Sequence, residues 1–559
     1  MAKFGRDLKI GTRIPHMTGN SFLVNFKNGS TILLLILSAC QCILFPSLIN
    51  FFAVTCVIVV WVILLLFFLT KDIISRYPLS SFLVIGFGST QYYFALLFTL
   101  LENKPLTFNL ELPAEVFKHS LLSFIVIVIG HLIYRQLYRN PGVRKYSFLE
   151  KGNFFQAPKS LQLWIMGAIG ISATFYSFLR APNVGWEVTG TAVDKFIQAL
   201  IPFSYAPFFI PFGKLYGKSE KLTKTTLIGM VLFTLVLFAI SIGRNSRGGF
   251  MIGFSSVGFA YLLGLLLGVF DQKVFTMKNA LLCVAIFFIV TGPIADLGTA
   301  MVNVREQRRD LPASELISKT LVAFTDKEAI NARRIADNKS QDDWDERYLN
   351  NVLTARFSNL KFSDASLVQA SKVGLANKDF QAFTLEYFLA TLPQPILDKT
   401  GLEVDKQFVK SVSMGDYLYF SAGAAEETLG GFRTGHFAGT GMAAFGWWYL
   451  AILGIGIIPV FILFDKLFLK KKSKADTSKF QIRFSVCAML TLDSIFRYLP
   501  FESVATMGVF LVRDWIQMII LYFLIFHFTR FITSVLITGS GLLDHKVTRQ
   551  QPTKRLENI

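Results

Sequence analysis

Arginines gathered near the ends of apolar runs are the residues in this chain best suited to chemistry. The first group is Gly243-Arg244-Asn245-Ser246-Arg247-Gly248-Gly249. Two guanidiniums in a tight turn offer forked donors matched to phosphate oxygens, and the glycines let backbone approach a ligand closely. The competing reading is a pair of arginines snorkelling to lipid headgroups. The second group is Arg305-Glu306-Gln307-Arg308-Arg309-Asp310. A helix here would put Arg305 and Arg308 on one face, with Arg309 at a solvated helix start. Arg356 stands in a later Arg-Phe-Ser-Asn-Leu stretch, where it reads equally well as a surface residue.

The third group runs from Gly430 to Gly441 and contains Arg433 and His436, three residues apart. Its glycines imply close backbone packing or close approach of a ligand. His436 stands alone among histidines between 299 and 440, which makes it the candidate for proton transfer. The fourth group is Asp493, Arg497, Glu502, Arg513 and Asp514. Charges in membrane segments usually pair or line a polar cavity, and these are expected to be shallow, at the outer end of their spans. Asp416, Glu426 and Glu427 are available as bases, but nothing in their spacing singles one out. Many arginines without a ligand-spaced His/Asp set suggest an anionic, phosphate-bearing substrate and no metal. No phosphate-cradling glycine loop followed by Lys-Ser/Thr appears, nor a serine-nucleophile motif.

The elements that must position these groups are long apolar runs. Of 559 residues 53% are apolar, and 57 are Phe. A hydrocarbon core about 30 Å thick takes roughly 20 apolar residues per helix. About twelve stretches qualify: 31–48, 50–70, 81–101, 120–134, 160–179, 196–213, 225–243, 249–270, 279–298, 441–464, 481–497 and 508–529. The expected fold is therefore all-α and polytopic. It comprises an N-terminal bundle over 1–298 with about nine helices, a large helical loop over 299–440, further membrane helices over 441–529, and a tail over 530–559.

Charge placement orients the bundle. With the N-terminus inside, the cytoplasmic connections carry 31 Lys and Arg and the short outside ones carry 8. This asymmetry puts both termini in the cytoplasm and the 299–440 loop outside. It also accounts for the net charge of +19, which is spread over inner loops such as Lys470-Lys471-Lys472. The outer loop holds 17 basic and 19 acidic residues, a balance that argues against nucleic-acid binding. All five cysteines fall in apolar runs, so disulfides are not expected to hold the loop. Apolar residues at three-to-four spacing over 315–336 and 345–373, with 380–392 behind them, predict amphipathic helices forming a folded lid rather than a floppy linker. The first thirty residues do not look like a cleaved signal peptide.

This layout resembles the Wzy-type O-antigen, or oligosaccharide repeat-unit, polymerases. The resemblance rests on the multi-span layout, Arg-Asn-Ser-Arg-Gly-Gly at 244–249, the large late outer loop, and Leu-Pro-Gln-Pro-Ile-Leu-Asp-Lys at 392–399. The stretch from His436 to Gly446 closes it on Ala-Phe-Gly-Trp. Together these cover about 244–450. Arg247 and Gly258 also fit an arginine-to-glycine spacing seen in some members. Where the family has Gly-Glu before Asn-Phe-Gly, this chain has Gly-His and then Ala-Phe-Gly. What the resemblance implies is a membrane glycosyltransferase of GT-C-like architecture in the bacterial cytoplasmic membrane, needing no cofactor. Its donor and acceptor would be polyprenyl-diphosphate-linked oligosaccharides met among membrane lipids, with a chain-length regulator protein as a further partner. On that expectation Arg244, Arg247, Arg305, Arg308, Arg356, Arg433 and Arg497 bind substrate and His436 is the base. An O-antigen ligase and a lipid-linked glycan flippase remain as the other readings.

Overall fold

The computed structural model describes residues 21–143, 147–180, 192–218, 222–243, 247–270, 276–304, 313–337, 344–355, 357–472, 480–498 and 502–548. These are mostly helical. Among the described residues eight helices are long and apolar enough to cross a membrane: Phe22–Leu44, Leu48–Phe67, Pro78–Leu101, Pro113–Leu137, Val193–Tyr216, Lys224–Ser241, Trp448–Asp465 and Ala505–Ile537. This is a multi-pass helical membrane protein. Three more of the expected spans also fall on helices, Ser160–Arg180, Arg247–Leu266 and the pair Met277–Ile289 and Ala295–Asn303 joined by one π-helical turn at Val290–Ile294.

The expected span at 481–497 is not a spanning helix. Phe480, Ile482 and Phe484 alternate with Gln481 and Arg483, which is the period of a strand rather than of a helix. Phe480–Phe484 accordingly pairs antiparallel with Phe468–Lys472, Phe468 opposite Phe484 and Lys472 opposite Phe480. Two short helices follow, Val486–Leu490 and Leu492–Phe496, separated at Thr491, whose hydroxyl bonds back to the Cys487 and Ala488 carbonyls. Ten helical residues rise only about 15 Å.

The expected span at 441–464 is divided as well. Gly446 has φ 55 and ψ −145, a conformation side-chain-bearing residues avoid, and it ends Phe437–Phe445 before Trp448–Asp465 begins. Phe437–Phe445 packs along Leu360–Val373 of the preceding loop.

That loop is folded and docked. It contains helices Ala313–Thr325, Lys327–Asp337, Leu360–Val373 and Lys378–Leu389. Asp326 divides the first two by capping the second, its Oδ1 accepting the Ala329 N–H at 2.9 Å. Residues 344–351 are irregular, and many of their polar groups grip the 102–112 connection. Glu102 accepts the Asn350 and Asn351 N–H groups, Asn109 donates to Asp345 and to the Arg347 carbonyl, and the Tyr348 hydroxyl donates to the Leu106 carbonyl at 2.5 Å.

The loop also sinks into the bundle. The Phe357 ring lies 6.2 Å from Phe94 and the Phe437 ring 6.3 Å from Phe87, while the Asn359 N–H donates to the Thr90 carbonyl. The Leu360–Ala370 part of this helix is consequently buried nearly all round, carrying Lys361, Ser363, Asp364, Ser366 and Gln369 inward with it.

Two bundle helices are capped by carboxylates from distant sequence. Asp364 accepts the Leu112 and Glu111 N–H groups at 2.8 and 3.1 Å and holds Lys361 Nζ at 2.7 Å. It thus serves the orphan donors at the start of Pro113–Leu137. At the opposite end of the bundle Asp465 accepts the Leu79 and Ser80 N–H groups, both at 3.1 Å, together with the Ser80 and Tyr134 hydroxyls. Ser80 also meets His131 Nε2 at 3.0 Å. A serine lying between a histidine and a carboxylate, all fully buried, joins three helices and offers no approach to a substrate.

Candidate functional site

Two clusters form where the sunken loop meets the bundle. The first centres on Asp416 and Arg433. Ser413-Met-Gly-Asp416 closes a capping box on helix Met414–Ser421, which fixes the aspartate with no exposed surface. Asp416 then accepts the Phe432 and Arg433 N–H groups at 2.7 and 3.0 Å and pairs with Arg433 Nη1 at 3.3 Å. The same Nη1 donates to the Thr428 carbonyl at 2.8 Å, and the guanidinium lies 4.7 Å above the Tyr419 ring. About 18% of the Arg433 side chain remains exposed to solvent.

The glycines of this segment serve close packing. A Cβ on Gly415 would fall 2.4 Å from the Arg433 carbonyl oxygen, and one on Gly439 2.3 Å from the Ser366 backbone. Glu346 and Glu502 complete the cluster. Glu346 Oε1 accepts the Thr434 N–H at 2.8 Å and the Trp344 indole N–H at 2.9 Å. Glu502 Oε2 accepts the Met414 N–H at 3.1 Å, and its carbonyl takes the Thr440 hydroxyl at 2.6 Å. Burial, then the Asp416 and Glu346 charges, raise the Glu502 carboxyl from its ordinary range to about 7, against the opposing Met414 hydrogen bond.

His436 lies in the same segment and is fully buried. It is the N-cap of Phe437–Phe445, its Nδ1 accepting the Ala438 N–H at 3.3 Å. That bond places the ring proton on Nε2, which has no partner among the described residues. Burial, with His119 adding a little, lowers the imidazole to about 3. A neutral ring with its one lone pair committed to a cap suits a structural role better than that of a base.

The second cluster is Asp493 and Arg497. Arg497 Nε donates to both carboxylate oxygens at 3.1 and 3.2 Å, with a further close contact from Nη2, and the guanidinium lies 5.9 Å from the Phe357 ring. The Asp493 N–H donates to the Ser256 hydroxyl at 3.0 Å. The pair is deeper than its sequence position implied. Ser256 is about 13–14 Å down its helix from Arg247. Phe496 packs against Gly86, about 12 Å from the far end of its own helix, and stacks on Phe259 at 4.2 Å. Asp493 and Arg497 therefore lie about halfway down the bundle. The two helices there are too short to carry them to the rim. Asp493 is 2% exposed, whereas a quarter of the Arg497 side chain is open.

Of the arginines singled out by sequence, Arg433 and Arg497 are described in full. Arg247 opens the helix that packs on Leu492–Phe496. Arg244, Arg305, Arg308 and Arg356 lie outside the described residues. Arg513 pairs with the adjacent Asp514 at 2.8 Å, both about half exposed.

Sequence reasoning left Asp416 and Glu502 without roles. The Ser-x-x-Asp pattern at 413–416 was a readable cap signal. Nothing local marks Glu502, because its neighbours come from residues 346, 414 and 440. Among the described residues no group of three or more His, Cys, Asp or Glu side chains is arranged to hold a metal ion. Comparison with protein-family models, curated proteins and solved structures finds no match to this chain.

Proposed function

We propose that this protein is a membrane glycosyltransferase that joins polyprenyl-diphosphate-linked oligosaccharide repeat units into an O-antigen-like surface polysaccharide. It works at the outer face of the bacterial cytoplasmic membrane with both termini in the cytoplasm. The observation that carries this reading is the sunken loop. Its docking sets the Arg433 cluster against the Glu502 connection and brings Phe357 beside Arg497 among the bundle helices. A substrate whose lipid stays in the membrane presents its diphosphate at headgroup level, where the loop meets the bundle. Charge-assisted hydrogen bonds from guanidiniums stabilise a departing diphosphate. The resemblance of residues 244–450 to repeat-unit polymerases supplies the reaction.

The test is a strain lacking the gene. Single repeat units displayed in place of long chains, with chain length restored by the wild-type gene and not by Arg247→Ala, is the expected result. Long chains that accumulate without reaching the lipid core would indicate a ligase. The half-depth Asp493–Arg497 pair specifically favours one further reading, a lipid-linked glycan flippase, because transport needs charge near the midplane. Complete loss of surface glycan in the deletion strain would select it.

A further inference from the structure

We propose that Glu502 is the proton acceptor for the attacking sugar hydroxyl, a role that rests on the glycosyl-transfer reading above. Its carboxylate is held at one oxygen only. Oε2 accepts the Met414 N–H, while Oε1 has no hydrogen-bond partner among the described residues. The residue is half-buried rather than enclosed, so this oxygen can meet a substrate. Its backbone is pinned by the Thr440 hydroxyl and packed against Gly435, fixing the side chain's origin.

Arg433 is two residues from that Gly435, anchored through Asp416 and still partly open. A cation for the leaving diphosphate and a carboxylate for the incoming hydroxyl therefore stand on the same knot of chain. In the step assigned to them, the acceptor hydroxyl oxygen bonds to the donor's anomeric carbon. The bond from that carbon to the diphosphate oxygen breaks, and its electron pair leaves with the lipid diphosphate. The hydroxyl proton moves to Glu502 Oε1 and is later lost to water.

His436, the sequence-level candidate for this role, has its Nδ1 occupied by the Ala438 N–H and its other nitrogen protonated. Asp416 is fully committed to Arg433 and to backbone donors. Glu346 binds Thr434 and Trp344 through Oε1 alone, but its side chain is exposed to solvent. Glu502 is the half-buried member of the cluster with an oxygen to spare. Its titration is set by burial, by the Met414 N–H, and by the charges of Asp416 on Met414–Ser421 and Glu346 in the 344–351 segment; Tyr387 on Lys378–Leu389 also faces it. A carboxyl near 7 is matched to proton transfer at neutral pH.

The test uses the purified full-length protein in lipid nanodiscs, supplied with lipid-linked repeat units extracted from the deletion strain. Wild-type elongation should fall as pH drops through about 7. Glu502→Gln keeps an oxygen for the Met414 N–H but cannot take a proton. It should slow elongation at least about 100-fold and abolish that pH limb. Glu502→Asp should keep a pH limb at a reduced rate, and it carries the test should the glutamine variant fail to fold. A glutamine variant within about threefold of wild type, or an aspartate variant without a pH limb, would overturn the proposal while leaving the polymerase reading intact. Failure of the wild-type protein to elongate at all would overturn that reading, and this role with it.

Discussion

Asp364→Ala is the sharpest perturbation of the docked loop. It removes one carboxylate with three clients: the Lys361 ammonium and the N–H groups of Glu111 and Leu112. Lys361 is 2% exposed and Asp364 fully buried, so the ammonium would be left in the interior with only the Asn109 carbonyl, 2.6 Å away. Breaking a buried ion pair from one side costs about 3–5 kcal/mol. Because Asp364 joins the loop to the start of Pro113–Leu137, the cost should appear there first, as local opening of residues 106–116 rather than global unfolding. At 1.4 kcal/mol per factor of ten, about 3 kcal/mol raises the opening equilibrium roughly 150-fold.

Hydrogen exchange with mass spectrometry reads this directly as lost protection in peptides covering 106–116 and 357–366, with helix Leu48–Phe67 as an internal control. The double variant Lys361→Met with Asp364→Leu removes the stranded charge, leaves the two N–H groups and the Asn109 carbonyl unserved, and should recover part of the protection. Less than about fivefold faster exchange in Asp364→Ala would refute the reasoning, because the pair would then not be what docks the loop.

Two further outcomes follow from the same geometry. Gly439→Ala pushes a methyl into the Ser366 backbone and should lower stability by about 1–3 kcal/mol. Gly258→Ala, with nothing within 4 Å of the new Cβ, should be neutral or slightly stabilising, and thermal unfolding in detergent compares the two. Arg497→Ala leaves the buried Asp493 carboxylate unpaired and should cost about 3 kcal/mol. Adding Asp493→Ala should recover most of that stability without recovering polysaccharide chain length, measured by gel ladder in the complemented deletion strain; recovery of both would make Arg497 purely structural.

The candidate site was legible in part, and the division has a physical basis. Arg433 and Arg497 could be found because guanidiniums near apolar runs are conspicuous in one dimension. What they touch could not, because Asp416 reaches Arg433 across 17 positions and Glu102 reaches Asn351 across 249. His436 looked like chemistry because a lone histidine in a glycine-rich turn is the same string whether its ring faces a substrate or caps a helix. The strand at 480–484 was missed for a related reason. Phe480, Ile482 and Phe484 continue into the apolar Val486–Leu490, so the run as a whole has the composition of a span.

By itself the sequence determined that this chain is a helical membrane protein with a long polar interruption, since apolar run length and composition are local properties that water and lipid sort without regard to fold. Only the tertiary structure decided that the interruption sinks into the bundle, that Asp364 and Asp465 cap helices far away in the chain, and that Arg497 lies at half depth. Those outcomes depend on which buried donor finds which acceptor, and that is settled by packing in three dimensions rather than by order along the chain.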